Sequence, residues 1–390
     1  MKALLATAIL LSAFAPPCHA DEFCLPVDAR HHVRGVIEEA VERPINVTAV
    51  IVPGTGSLER HGHIRAPGES AVEWRLYDSM AASLLRHGIS VARFDAPSPV
   101  ASGVHCAGPT ASGPAARSLR LQQRAVATIV DHVRARHPAG RVVLLGHSQG
   151  GLVAADLAGD GNLRIDGIFT YGTTLRPVRE FTHHQRVALK VWQLRMLMQH
   201  AVDRCVTNEV IGSEPASTSL LRTDTPIAFW MSPTGSWCEH NLHEFVARAT
   251  SRADAVDRAV ASCREQGDQA NFPVAEPSGT QLMNSCEEIS LFLSPHTLAD
   301  RLKAYAGIVV AVAGSNDPML DLPAEGEHAT KFVAERPAIR AFHVIAGAGH
   351  ILSREALVGA VHAPYADELA KHVADAMGRR REPDGQSAAP

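Results

Sequence analysis

Gly146-His147-Ser148-Gln149-Gly150 is the segment of this chain best suited to chemistry. It has the spacing G-x-S-x-G. A serine hydroxyl is a poor nucleophile until a nearby imidazole takes its proton. That imidazole in turn needs a carboxylate on its other nitrogen, to fix the tautomer and stabilise the charged form. The apolar run Val142 to Leu145 precedes the motif, and the stretch Leu152 to Leu157 follows it. The spacing therefore predicts a strand, a sharp turn and a helix. Such a turn strains the serine backbone, and glycines flank it because side chains there would strike neighbouring backbone. The hydroxyl then stands at the positive end of a helix. The bland alternative is an ordinary glycine-rich turn with a capping serine.

The elements that must position this serine form two blocks of alternating strand and helix. In the first block, Val47 to Val52, Ile89 to Phe94, Arg141 to Leu145 and Ile165 to Tyr171 read as strands. Ala71 to Arg86 and Ala115 to His137 carry apolar positions at helical spacing. After a long interval, Gly307 to Val312 and Ala341 to Ile345 read as strands and Tyr365 to Met377 as a closing helix. This alternation predicts an α/β fold with a mostly parallel sheet, whose sites gather at the carboxyl ends of the strands. Between Thr173 and Ala299 the pattern lapses into helical pieces, such as His184 to Val202 and Asn241 to Val260. That stretch reads as a largely helical cap insertion.

On these features the chain resembles the α/β-hydrolase superfamily, in an esterase- or lipase-like form with an inserted cap. The resemblance covers roughly residues 45 to 172 and 300 to 378. The family order is serine, acid, histidine. It implies Ser148 as nucleophile, Asp317 in Gly314-Ser315-Asn316-Asp317-Pro318 as acid, and His350 in Gly347-Ala348-Gly349-His350-Ile351 as base. Asp321 is a rival acid; His343 and His362 are rival histidines. The oxyanion needs two backbone N–H donors. One is that of Gln149, after the nucleophile. The loop from Pro53 to Gly62 resembles the P-G-S-G-P-x-D-R-D-G loop of an esterase-like branch, which implies the backbone of Thr55 as the second. Where relatives carry D-R-D-G this chain has Glu59-Arg60-His61-Gly62. Where they carry Asp followed by R-G-x-G-x-S, it has Asp95-Ala96-Pro97-Ser98-Pro99.

A metal alternative arises from the 21 histidines. His61 and His63 form H-x-H, and His31-His32 and His183-His184 are pairs. Cys205, Cys238, His240, His243 and Cys263 are the best ligand candidates. No run gives a full set at familiar spacing, so the expectation is no metal and no cofactor.

A net charge of −4 excludes a broad basic field for nucleic acid. Residues 1 to 20 read as a signal peptide, with Lys2, an apolar run from Ala3 to Ala15 and a cleavage site at Cys18-His19-Ala20. Acylation of Cys18 is the alternative. No later stretch is long enough to be a membrane span. Cysteine usage fits export to a periplasm or the outside. Cys24, Cys106, Cys205, Cys238, Cys263 and Cys286 remain after cleavage, an even number suited to disulfides. The last four are expected to pair among themselves, leaving Cys24 with Cys106.

The expected organisation is a signal peptide at 1–20, hydrolase core at 21–172 and 300–379, a cap at 173–299 and a disordered tail at 380–390. The expected function is a serine hydrolase cleaving a small-molecule carboxylic ester, thioester or amide through an acyl-enzyme. Acyl transfer or peptide cleavage by the same groups is the alternative, as is a non-catalytic binding protein on the same fold. Substrate identity and oligomeric state are left open. Trp192, Met196, Met198, Trp230, Trp237 and Phe292 are candidates for either pocket lining or plain core.

Overall fold

The computed structural model describes residues 20–54, 59–65, 73–100, 106, 118–201, 203–213, 221, 227–265, 271–275, 281–285, 291, 293–356 and 359–378. Its centre is a nine-stranded sheet. The main strands are β1 (Ala20–Asp28), β2 (His31–Glu38), β3 (Val47–Val52), β4 (Ser90–Phe94), β5 (Arg141–His147), β6 (Gly167–Tyr171), β7 (Ile308–Gly314) and β8 (Arg340–Ile345). They lie in the order β1-β2-β4-β3-β5-β6-β7-β8, and Ser98–Pro99 pairs with β2 at one side. From β4 to β8 every neighbouring pair is parallel. β1 and β2 join as an antiparallel hairpin, and β2 runs antiparallel to β4.

The six strands expected from the sequence all appear, with ends shifted by a few residues at most. They are legible because parallel strands are covered on both faces and read as continuous apolar runs. Every residue of β3 is buried. Its side chains alternate between two cores: Val50 and Val52 face one, Val47, Ala49 and Ile51 the other. Helices α2 (Leu119–Arg136) and α3 (Gln149–Gly159) cover the first face, with Ala125, Val126, Ile129, Val130 and Val133 of α2 buried at helical spacing. The opposite face is covered by two helices from distant parts of the chain that pack against each other. Tyr77, Met80 and Leu84 come from α1 (Leu76–Arg86), and Leu369 and Val373 from the C-terminal helix Ala363–Gly378. Each fully buried Val, Leu or Ile contributes roughly 1.5–3 kcal/mol relative to exposure.

Three local readings change. The hairpin of β1 and β2 adds strands the sequence did not announce. The helix expected from Ala71 starts at Leu76, because Glu73–Arg75 pairs with His63–Arg65. The helix expected from His184 is two helices, Val178–Arg186 and Ala188–His200, separated at Val187. Pro177, immediately ahead, fixes where the first begins.

Residues 173–299 add no strand to the central sheet among those described. Leu194, Met198, Val206, Trp230, Trp237 and Phe245 form a core of their own there. Trp230 and Trp237 are fully buried in it, as plain core residues are, whereas Met196 is exposed and Phe292 lies outside the described residues. No helix among the described residues is long and apolar enough to cross a membrane.

Candidate active site

Ser148 sits between β5 and α3 with φ 53° and ψ −123°. A non-glycine residue in this region is strained by about 1–3 kcal/mol and persists only where its surroundings impose it. Those surroundings are named atoms. The Ser148 N–H donates to the Tyr171 carbonyl at 2.8 Å, and its own carbonyl accepts from the Thr173 hydroxyl at 2.7 Å. A side chain on Gly146 would run into the backbone of Gly151, and one on Gly150 into the carbonyls of Val52 and Pro53. The glycines of the motif are therefore required by backbone crossing backbone.

Asp317 and His350 come from the loops after β7 and β8. The His350 Nδ1 lies 2.8 Å from the Asp317 Oδ2, and both residues are buried. The second carboxylate oxygen, Oδ1, accepts the Met319 N–H at 2.9 Å. A carboxylate facing Nδ1 accepts a hydrogen bond from Nδ1–H, which leaves Nε2 of the neutral ring with a lone pair. The rivals are engaged elsewhere. Asp321 approaches Arg176 at 3.8 Å, His343 stacks on His372 with ring centroids 4.0 Å apart, and His362 packs on Tyr365.

The serine and the imidazole converge on the end of β6. Tyr171 takes the Ser148 N–H, and the next residue, Gly172, has φ 64°. A side chain on Gly172 would stand 3.1 Å from His350 Nδ1 and 3.5 Å from Asp317 Oδ2. The missing side chain is the space the imidazole occupies. Of the sequence-derived oxyanion donors, Gln149 is the first residue of α3, directly after the serine. Thr55 lies outside the described residues; a side chain on Gly54 beside it would stand only 2.9 Å from the Ser148 Cβ and from the His147 carbonyl oxygen.

Comparison with known families decides the relationship. The profile for the alpha/beta hydrolase fold matches residues 67–356, most of the chain. The chain belongs to the α/β-hydrolase family. Solved structures of similar shape include Est1E from Butyrivibrio proteoclasticus, at 12% identity and TM-score 0.47, covering 92% of this chain and 99% of that one. A proline iminopeptidase of Mycobacterium smegmatis shares 15% identity with TM-score 0.49, covering 92% of this chain and 98% of that one. The esterase domain of a Rhodothermus marinus protein shares 10% identity with TM-score 0.46, covering 92% and 97%. No curated protein matches the sequence.

Around this site the α/β-hydrolase uses polar contacts that no sequence pattern announced. Arg60, in the departed Glu59-Arg60-His61-Gly62 segment, grips Asp95 with its Nε at 3.0 Å, a terminal nitrogen at 2.8 Å and its backbone N–H at 3.0 Å. Arg60 and Asp95 are the residues that keep the patterns of their two otherwise departing segments, and one ion pair joins them. Behind it, Arg93 binds Glu38 and Asp78, and His61 Nδ1 faces Asp78 at 2.9 Å. On the other side, buried Glu325 accepts from the Thr174 hydroxyl, the Leu175 N–H and Arg176 Nε, at 2.7, 2.7 and 3.0 Å. This clamp ties the chain leaving β6 to the helix that follows the Asp317 loop, Leu322–Glu335.

Cys24 and Cys106 are joined, with Cα atoms 6.1 Å apart, as are Cys205 and Cys238, at 4.2 Å. Cys263 is disulfide-bonded as well, and Cys286 lies outside the described residues. Cys24, His32 and Cys106 cluster closely enough for a metal, but sulfurs bonded to each other are not thiolates. The same pairing removes Cys205 and Cys238 from the ligand set read in the sequence.

Proposed function

We propose that this α/β-hydrolase is an exported serine hydrolase that cleaves a carboxylic ester of a small molecule. The observation that carries the reading is the buried His350–Asp317 hydrogen bond of 2.8 Å beside a serine at φ 53° on a strand-to-helix elbow. In the reaction, His350 Nε2 takes the proton of Ser148 Oγ as that oxygen attacks the carbonyl carbon. Asp317 holds Nδ1–H and stabilises the imidazolium. The backbone N–H groups of Gln149 and Thr55 receive the oxyanion. Collapse of the tetrahedral intermediate breaks the bond to the leaving alcohol, which takes the proton from His350. Water then attacks acyl-Ser148 with His350 again as base, releasing the acid and restoring the hydroxyl.

Residues 173–299 serve as the cap over this crevice. The reading is supported by the contact of Val178–Arg186 with the acid loop: His184 Nε2 meets the Pro318 carbonyl at 3.2 Å, and Phe181 packs with Ala313 and Leu320. Export is supported by the disulfides, which persist in oxidising compartments.

The test is labelling of the folded protein with a fluorophosphonate, with Ser148→Ala as control, followed by p-nitrophenyl esters of rising chain length. Labelling confined to Ser148, with ester hydrolysis lost in the variant, is the expected result. Failure of Ser148 to label, or full activity in Ser148→Ala, removes the proposal.

A further inference from the structure

A line of hydrogen bonds runs behind Ser148 and touches three separate loops. The Gly54 N–H donates to the Tyr77 hydroxyl oxygen at 2.9 Å. That oxygen lies 3.3 Å from His147 Nδ1, and His147 Nε2 lies 3.0 Å from the backbone carbonyl of His350. Gly54 belongs to the loop after β3, His147 immediately precedes the nucleophile, and the last carbonyl is that of His350 itself. The residues at the two ends of the His147–His350 bond are 203 positions apart.

Each bond in the line has only one possible direction. A carbonyl only accepts, so His147 Nε2 must carry a hydrogen. Burial, with a smaller contribution from the nearby His350 ring, pushes the His147 pKa down to about 3, so the ring is neutral and Nδ1 is bare. Bare Nδ1 accepts the Tyr77 O–H. Burial pushes the tyrosine pKa up, so it keeps that hydrogen. Its oxygen lone pairs then receive Gly54. Neighbouring rings fix the imidazole in this pose: Tyr171 stacks on it at 6.2 Å and 17°, and Tyr77 meets it edge-on at 6.0 Å and 69°. Tyr171 itself donates to the Gly349 carbonyl at 2.5 Å. Two successive carbonyls of the base loop, at 349 and 350, are thus held by rings from β5 and β6.

We propose that His147 is a positioning residue for the hydrolytic reaction, acting as a neutral Nε2–H tautomer that registers the His350 loop and the Gly54 loop against the nucleophile elbow. The proposal rests on the triad reading above. Its physical content is that the backbone of His350 stays fixed while the ring becomes charged, and that the Gly54 N–H is committed to Tyr77 rather than to substrate. A ring that merely filled space would need neither end of this line.

The experiment uses the full chain with His147→Phe, His147→Gln, Tyr77→Phe and the double variant His147→Phe/Tyr77→Phe. Readouts are p-nitrophenyl ester kinetics, the rate of fluorophosphonate labelling at Ser148, and nitrogen-15 spectra of the imidazoles. His147→Phe should lower kcat by about 10- to 100-fold with KM within about twofold, since sub-ångström misplacement acts on the transition state. His147→Gln should recover to within about fivefold of the parent, because its amide can donate to one carbonyl and accept from Tyr77. The double variant should be no slower than His147→Phe alone. The spectrum should contain one imidazole, missing in His147→Gln, with a protonated Nε2 and a bare Nδ1. Parental kcat in folded His147→Phe, or a protonated Nδ1, overturns the proposal. If His147→Phe does not fold, Tyr77→Phe kinetics and the spectrum decide. Absence of labelling at Ser148 in the parent refutes the triad reading instead, and the spectrum still reports on His147.

Discussion

Acidification from about pH 7 to about pH 5 should weaken this fold through His147 by roughly 2 kcal/mol. The side chain is 6% exposed, faces Tyr77, Tyr171 and His350, and is held near pKa 3 against an ordinary value of 6.5. Because the folded value lies below the unfolded one, the unfolded chain binds more protons throughout the interval between them. Stability from this group is therefore full above the unfolded value and is lost as the pH falls from 6.5 toward 3. Inside the window the slope approaches about 1.4 kcal/mol per pH unit, and integration down to about pH 5 gives the figure above. The result is insensitive to the folded value so long as that stays below about 4, because the folded site is then essentially empty at the lower pH. His132 and His372 are also lowered by burial and add slopes of the same sign. The assay is urea unfolding of the parent and His147→Gln at both pH values, and the quantity of interest is the difference between their losses. The parent should lose about 2 kcal/mol more than the variant. Equal losses would show that the imidazole is hydrated or charged in the folded protein, and the directional argument for its hydrogen bonds would fall with it.

Asp317→Asn should leave the fold intact and lower kcat by about 10⁴-fold in ester assays, since an amide no longer selects the tautomer that frees Nε2. Gly172→Ala places a methyl 3.1 Å from His350 Nδ1 at a φ of 64°, so it should cost about 1 kcal/mol or more in urea unfolding and reduce fluorophosphonate labelling at Ser148. A variant that labels at the parental rate would show that the imidazole does not occupy the space beside that glycine. Glu325→Ala leaves buried Arg176 with only the more distant Asp321 carboxylate at 3.8 Å, and thermal unfolding should reveal a loss of about 3 kcal/mol. A loss under about 1 kcal/mol would mean that the clamp between β6 and the acid-loop helix is dispensable.

The sequence by itself determined the parallel sheet, the elbow at Ser148 and the neighbourhood of Asp317 and His350. Its parallel strands are buried on both faces, so each is a run of apolar residues, and the turns that hold Ser148, Asp317 and His350 follow directly from their ends. The sequence was silent where burial is shared with charge. The helix Leu322–Glu335 escaped notice because its buried face includes Glu325, a carboxylate where periodicity expects an apolar side chain. The hairpin Ala20–Asp28 with His31–Glu38 escaped because its outer strand is only partly covered and its alternation is broken by polar residues. Only the tertiary structure decided what each histidine does. His147, His343, His350 and His362 share the same intrinsic chemistry, yet one faces Asp317 at 2.8 Å, one reaches a carbonyl 203 residues away, one stacks on His372 and one meets Tyr365 edge-on. A ring's tautomer and charge are set by the atoms opposite its two nitrogens and by the water it loses, and those neighbours come from distant parts of the chain.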